Sequence, residues 1–283
     1  MKKVWFITGT SSGIGKALAL QVLAAGYRVA LGARNIADVA DITAAYPDTA
    51  LAVKLDLTRT QDIVSSVKAI QEEFGRIDVL VNNAGIGYFG SLEESEEDEV
   101  RRMFEINFFG LARLTREVLP ILRAQRGGHI LNVTSILSMV SYPAVGFYSA
   151  TKFAVDGYTE SLAKEVAPLG IKVTAIAPSS FRTDWAGRSA KEAPHTIDDY
   201  KATAEANKNN IRGYSGKQAG DPVRAARAII KVVESENPPL RLLLGEASFK
   251  NANAKLVSLK TEFDAWAETS VGADFPKEQA VHN

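Results

Sequence analysis

The chain has 283 residues, 46% of them apolar and 23% charged, which excludes a disordered, collagen-like or low-complexity polypeptide and predicts a packed core. Its 33 Lys and Arg balance 33 Asp and Glu, so no net field draws it toward nucleic acid or a membrane surface, and the expected partner is a small molecule. With no cysteine and three His, it offers no disulfide, no thiolate nucleophile and little material for a metal site, and none is expected.

The start, Met1-Lys2-Lys3, leads into an apolar run too short for an export signal. The longest uncharged stretch, 127–151, contains Asn132, Pro143 and many Ser and Thr, which lipid would penalise. A cytoplasmic location is therefore expected. Short, nearly all-apolar runs at 3–8, 28–33, 51–56, 77–82, 129–135, 172–178 and 240–244 alternate with helix-period segments. Continuity of this kind suits strands buried on both faces. The pattern predicts an α/β fold: a doubly wound, Rossmann-type parallel sheet of seven strands with helices on both faces, in one domain spanning 1–283.

Directly after the first run stands Thr8-Gly9-Thr10-Ser11-Ser12-Gly13-Ile14-Gly15, followed by helical sequence. Glycines lacking Cβ let a backbone turn sharply and approach a pyrophosphate, whose charge is stabilised by free N–H groups at the helix start. The spacing G-x-x-x-G-x-G differs from the common G-x-G-x-x-G fingerprint. After the second run comes Ala33-Arg34, where an acidic residue would favour NAD. An Arg fork there can bind the 2′-phosphate of NADP, with no carboxylate nearby to repel it, so NADP(H) is expected over NAD(H). Asp56-Leu57 closes the third run and Asn82-Asn83-Ala84-Gly85 the fourth, at the edge where a dinucleotide would lie.

The acidic run 93–99 reads as a solvated helix entrance, with Ser95 as a possible cap. Farther along, Tyr148 and Lys152 stand four apart on a predicted helix and share a face, with Ser135 at the end of the preceding strand. Periodicity fades over 179–220, where a lid over the sheet's carboxyl edge is expected. A final amphipathic helix over 250–268, with Leu256, Leu259, Phe263 and Trp266 at three- and four-residue intervals, is expected to dock on this chain or a partner.

Together these motifs resemble the short-chain dehydrogenase/reductase family, and the resemblance runs from Lys2 to about Thr183. It implies that the loop Gly9, Ser11, Ser12, Gly13, Ile14 and Gly15 holds the diphosphate. It also implies that Asp56, Leu57, Asn83, Ala84 and Gly85 lie along adenosine. Pro178, Phe181 and Thr183 would meet the nicotinamide end. Asn107, Ser135, Tyr148 and Lys152 would form the catalytic set, with Asn107 holding a water in the proton relay and Lys152 also holding the nicotinamide ribose. Family members usually have Pro-Gly where this chain has Pro178-Ser179, which bears on the loop near the nicotinamide. The implied assembly is a homodimer or homotetramer through the helices carrying Asn107 and Tyr148.

The implied reaction interconverts a carbonyl and an alcohol. A hydride moves at carbon and a proton at oxygen, with Tyr148 as acid/base. A free phenol titrates near 10, so Lys152 and an oxidised nicotinamide are expected to stabilise its anion. Tyr88, Phe89, Met139, Val140, Tyr142 and Trp185 suggest an apolar or aromatic substrate pocket. The competing readings are an NADP-binding sensor or interaction protein without turnover, and an NAD-dependent alcohol dehydrogenase.

Overall fold

A computed structural model describes residues 2–187 and 189–275. In chain order the strands are β1 (Val4–Thr8), β2 (Arg28–Ala33), β3 (Ala50–Lys54), β4 (Val79–Asn82), β5 (Gly87–Phe89), β6 (Gly128–Val133), β7 (Ile171–Pro178), β8 (Ala190–Glu192) and β9 (Arg241–Leu244). The α-helices are α1 (Gly13–Ala24), α2 (Ala40–Ala45), α3 (Thr60–Phe74), α4 (Glu97–Phe104), α5 (Leu111–Gln125), α6 (Gly146–Val166), α7 (Ala206–Gly213), α8 (Pro222–Glu234), α9 (Glu246–Ala265) and α10 (Ala267–Val271). Seven strands form one sheet in the order β3-β2-β1-β4-β6-β7-β9. Every pairing in it is parallel. Connections reverse direction between β1 and β4, and open α/β sheets bind their ligands outside such a switch point.

The all-apolar runs have a plain cause. Successive side chains of a strand point to opposite faces, and here both faces are covered. Trp5 and Ile7 join Leu18, Val22 and Ile229 of α1 and α8 in one core cluster. Val4 and Phe6 join Ile63, Leu114 and Leu162 of α3, α5 and α6 in the other.

Local chemistry trims several predicted strands. β4 begins only at Val79, because the Asp78 carboxylate accepts from the Val4 amide at 2.8 Å and grips Arg76. β6 stops at Val133, and Ser135 instead starts a short helical turn, its hydroxyl accepting from the Leu137 amide at 3.1 Å.

The expected helix entrance at 93–99 is corrected in two respects. The acidic run is not merely solvated. The Glu94 carboxylate accepts from the Ile197 amide at 2.6 Å, Glu99 pairs with Lys191 at 2.5 Å, and Glu93 accepts from the Tyr200 hydroxyl at 2.7 Å. Ser95 does not cap α4, because its hydroxyl donates to the Ser91 carbonyl. The final helix docks only at its base, where Ser248 and Ala252 are buried, while Leu256, Phe263 and Trp266 are exposed. No helix among the described residues is long and apolar enough to cross a membrane.

Candidate active site

The glycine loop emerges at the carboxyl end of β1 with Gly9 and Gly13 at positive φ, 71° and 59°. Gly15 is fixed by space: a Cβ there would stand 2.3 Å from the Gly9 carbonyl oxygen and 2.4 Å from Asn83 Nδ2. Ser12 does not cap α1 with its side chain, which leaves the first-turn amides for a ligand. Ser11 is exposed, Ser12 and Ile14 are half-buried, and Thr183 lies across the loop, 3.4 Å from where a Gly13 Cβ would be. This bare backbone facing a helix start fits a dinucleotide diphosphate.

Asn83 braces that loop. Its Nδ2 donates to the Thr8 carbonyl at 2.8 Å, and the Thr8 hydroxyl accepts from the Asn83 and Ala84 amides at 2.9 Å each. Thr8, which opens the glycine motif, is the polar residue ending an otherwise apolar β1. Arg34 is exposed at the end of β2. Asp56, distant in sequence, comes within electrostatic reach of it, so the expectation of no nearby carboxylate is corrected. Burial raises the Asp56 carboxyl, but the Thr58 hydroxyl and amide, with the charges of Arg34 and Arg59, outweigh it and hold the group below the usual carboxylate range. Leu57 is buried, and its carbonyl accepts from Arg113.

Tyr148 and Lys152, four apart on α6, are both buried, and the Lys152 ammonium stands 5.6 Å from the phenol ring centroid. Ser135 lies close enough to the phenol to act on its titration. Lys152 Nζ donates to the Val133 carbonyl at 2.8 Å. Gly85 adjoins both Lys152 and Asn107, because a Cβ on it would meet Asn107 Oδ1 at 3.2 Å and Lys152 Nζ at 3.7 Å. Asn107 sits in a π-helical turn, Glu105–Gly110, between α4 and α5. Such a turn carries an extra residue inside an otherwise continuous helix and often marks a functional site. Its amide is gripped at both ends: Oδ1 accepts from the Ile86 amide at 2.8 Å, while Nδ2 donates to the Ile86 carbonyl at 2.9 Å and to Thr151 Oγ1 at 3.2 Å. The Thr151 hydroxyl in turn donates to the Tyr148 carbonyl at 2.7 Å. Thr151 was not singled out from the sequence, although it lies one turn along from Tyr148.

In the cofactor-free chain, burial dominates the electrostatics of this pair. Burial pushes the Tyr148 phenol well above its ordinary range, and Ser135 pulls it back only in part. Burial also lowers Lys152 to about 8. The chain alone therefore does not stabilise the phenolate.

Aromatic and apolar side chains close the site. Tyr88, Met103, Tyr148 and Ala193 are buried together, with Ile86, Leu137, Phe147 and Trp185 packed around them. β5 pairs with β8, and Arg212 donates to the Ala186 and Ala190 carbonyls, tying segment 189–213 over this cluster. Residue 188 of the expected lid lies outside the described residues. Tyr142 is not part of the pocket: it is exposed, and its hydroxyl accepts from Asn251 of α9. The Phe181 ring lies against Gly220 and close to Gly245. Pro178 ends β7 opposite Leu244. Ser179 is accommodated by Gly245, where φ is 90° and a Cβ would stand 2.3 Å from Ser179 Oγ.

The pattern of the family described as short chain dehydrogenase matches residues 3–194. Oxidoreductase BOA17 of Botryotinia fuckeliana is 36% identical over 274 residues, covering 96% of this chain and 100% of that protein. The crystal structure of a short-chain dehydrogenase from Streptomyces avermitilis superposes with a TM-score of 0.91 at 38% identity, covering 97% of this chain and 99% of the other. An alcohol dehydrogenase from the archaeon Thermococcus sibiricus, solved with 5-hydroxy-NADP, gives 0.72 at 28% identity, with 86% and 96% covered. The chain belongs to the short-chain dehydrogenase/reductase family. It is an oxidoreductase of that family, acting between CH–OH and carbonyl groups with a nicotinamide cofactor.

Proposed function

We propose that this oxidoreductase uses NADP(H) in preference to NAD(H) and that Tyr148 exchanges the proton with the substrate oxygen. The observation that carries the reading is the buried grouping of Tyr148, Ser135, Lys152 and Asn107 beside a bare glycine loop. A bound nicotinamide would supply the hydride chemistry at the substrate carbon and, when oxidised, a positive charge. In reduction Ser135 hydrogen-bonds the carbonyl oxygen, and Tyr148 donates its proton to that oxygen as the carbon gains the hydride. Lys152 holds the nicotinamide ribose, and Asn107 positions the water that returns a proton. Gly9, Ser11, Ser12, Gly13, Ile14 and Gly15 take the diphosphate, and Arg34 takes the 2′-phosphate. Asp56, Leu57, Asn83, Ala84 and Gly85 flank adenosine. Pro178, Phe181 and Thr183 lie toward the nicotinamide.

The substrate is an apolar or aromatic carbonyl compound or alcohol, admitted beneath a lid formed by 179–220. Tyr88, Met103, Leu137 and Trp185 around the phenol support that class. Exposed Phe109 and Phe153, on the elements carrying Asn107 and Tyr148, support a homodimer or homotetramer joined there.

Tyr148→Phe tests the assignment. Its turnover should fall about 10²- to 10⁴-fold with NADPH binding retained. Full turnover by the folded variant overturns it.

A further inference from the structure

Trp185 packs beside the phenol of Tyr148, yet little in its own surroundings along the chain holds it there. It lies in one short helical turn, Asp184–Ala186, whose start is fixed by the Thr183 hydroxyl accepting from the Trp185 amide at 3.3 Å. The indole fits against β5 because Gly87 has no side chain: a Cβ there would stand 3.0 Å from Trp185 Cζ2. Space permits that position without enforcing it.

The enforcing contacts come from α7. One terminal nitrogen of Arg212 donates to the Ala186 carbonyl at 3.0 Å and to the Gly187 carbonyl, and the other donates to the Ala190 carbonyl at 2.8 Å. The guanidinium carbon stands 4.8 Å from the centroid of the Phe89 ring, and Nε faces a Glu192 oxygen at 3.5 Å. Phe89, fully buried on β5, meets the Trp185 indole edge-on. One side chain thus grips the backbone that follows Trp185 and covers the ring that backs it. A planar fork can reach several carbonyls while stacking on an aromatic face, and a Lys ammonium cannot. With its donors turned to these partners, Arg212 serves the chain and has little left for a ligand.

We propose that Arg212 is a positioning residue for substrate size, holding Trp185 against Tyr148 and so limiting the bulk beside the reacting carbon, which rests on the reading that substrate meets Tyr148 beneath that indole. Without the fork, three carbonyls lose their donor and the Phe89 ring loses its cation. Lys152 and Asn107 keep their own partners at Val133, Ile86 and Thr151. Loss of Arg212 should therefore alter selectivity more than chemistry.

Quenching and selectivity together test the assignment. Trp5 is fully buried and Trp266 is 64% exposed, so in a full-length Trp266→Phe background the half-buried Trp185 is the indole whose access to acrylamide can change. In the cofactor-free chain, Arg212→Met and Arg212→Lys should each raise its quenching constant about twofold or more. With NADPH, kcat/KM for isobutyrophenone relative to acetophenone should rise roughly tenfold in both variants, while kcat on acetophenone changes little. On a Trp185→Ala background Arg212→Met should change that ratio by less than about twofold, because the residue it positions is gone. A general loosening of the fold would add its own effect there. If Arg212→Met does not fold, Arg212→Lys carries both readouts, and the quenching needs no turnover. Unchanged quenching overturns the proposal, and so does raised quenching with the ketone ratio unmoved while Trp185→Ala moves it. If Trp185→Ala leaves the ratio unmoved as well, the substrate path beneath Trp185 is what has failed, and the role of Arg212 falls with it.

Discussion

The indole of Trp185 rests against the phenol ring of Tyr148, with ring centroids 4.8 Å apart and planes tilted by 53°. Phe89 backs the indole edge-on at 5.4 Å. A residue of the covering segment thus occupies one flank of the proposed proton donor, so a substrate that reaches the phenol has to displace or slide along it.

Trp185→Ala should therefore widen the site. Measured across a graded series of aryl alkyl ketones, kcat/KM should shift toward the bulkier members by roughly 10-fold or more, the scale on which apolar pockets discriminate. An unchanged ranking would place Trp185 outside the substrate path.

Arg34→Asp should separate the two cofactors. Loss of a charge-assisted contact to the 2′-phosphate should raise the NADPH dissociation constant about 10- to 100-fold while NADH changes little. Equal effects on both would remove Arg34 from cofactor choice.

Lys152 combines function with a cost to folding. Burial holds it near 8, below its ordinary value near 10.5. From about pH 8 to 10.5 the unfolded chain binds the extra proton, so native stability should rise with pH across that window. Lys152→Met should stabilise the cofactor-free chain at pH 7 by about 1–3 kcal/mol in denaturant titration, less whatever the lost bond to the Val133 carbonyl contributed, and should abolish turnover.

His129 provides an acid-side counterpart. Burial first, then the nearby Lys172 and Lys3 charges, lower it to about 4 from an ordinary value near 6.5. The unfolded chain takes up that proton first as pH falls. Stability present above pH 6.5 is therefore lost toward pH 4, by about 3 kcal/mol from this group. His129→Gln, able to keep the contact to Thr174 Oγ1, should flatten that part of the stability–pH curve.

The sheet was legible because its strands are buried on both faces, so Val4–Ile7 and Leu80–Val81 needed no alternation to be recognised. The pairing of Tyr148 with Lys152 was legible because helix pitch alone puts residues four apart together. What escaped depended on distant partners. Glu94 and Ile197 lie 103 residues apart, and neither shows in its own surroundings that the other will hold it. Arg34 and Asp56 meet only because β2 and β3 are neighbours. The apolar period of α9 was visible, but periodicity does not say whether the body of the protein covers the stripe. The direction of the phenol's shift likewise depends on burial, which spacing does not report.

Ser179 and Gly245 belong to different strand ends, yet they form one steric unit. In its present rotamer the hydroxyl of the first fits only while the second has no side chain. A side chain at 245 would force that hydroxyl into another rotamer, so exchanging the two strand ends together keeps the present contact. Glycine at 179 would free 245 of its spatial restriction, while the left-handed backbone there would still favour glycine.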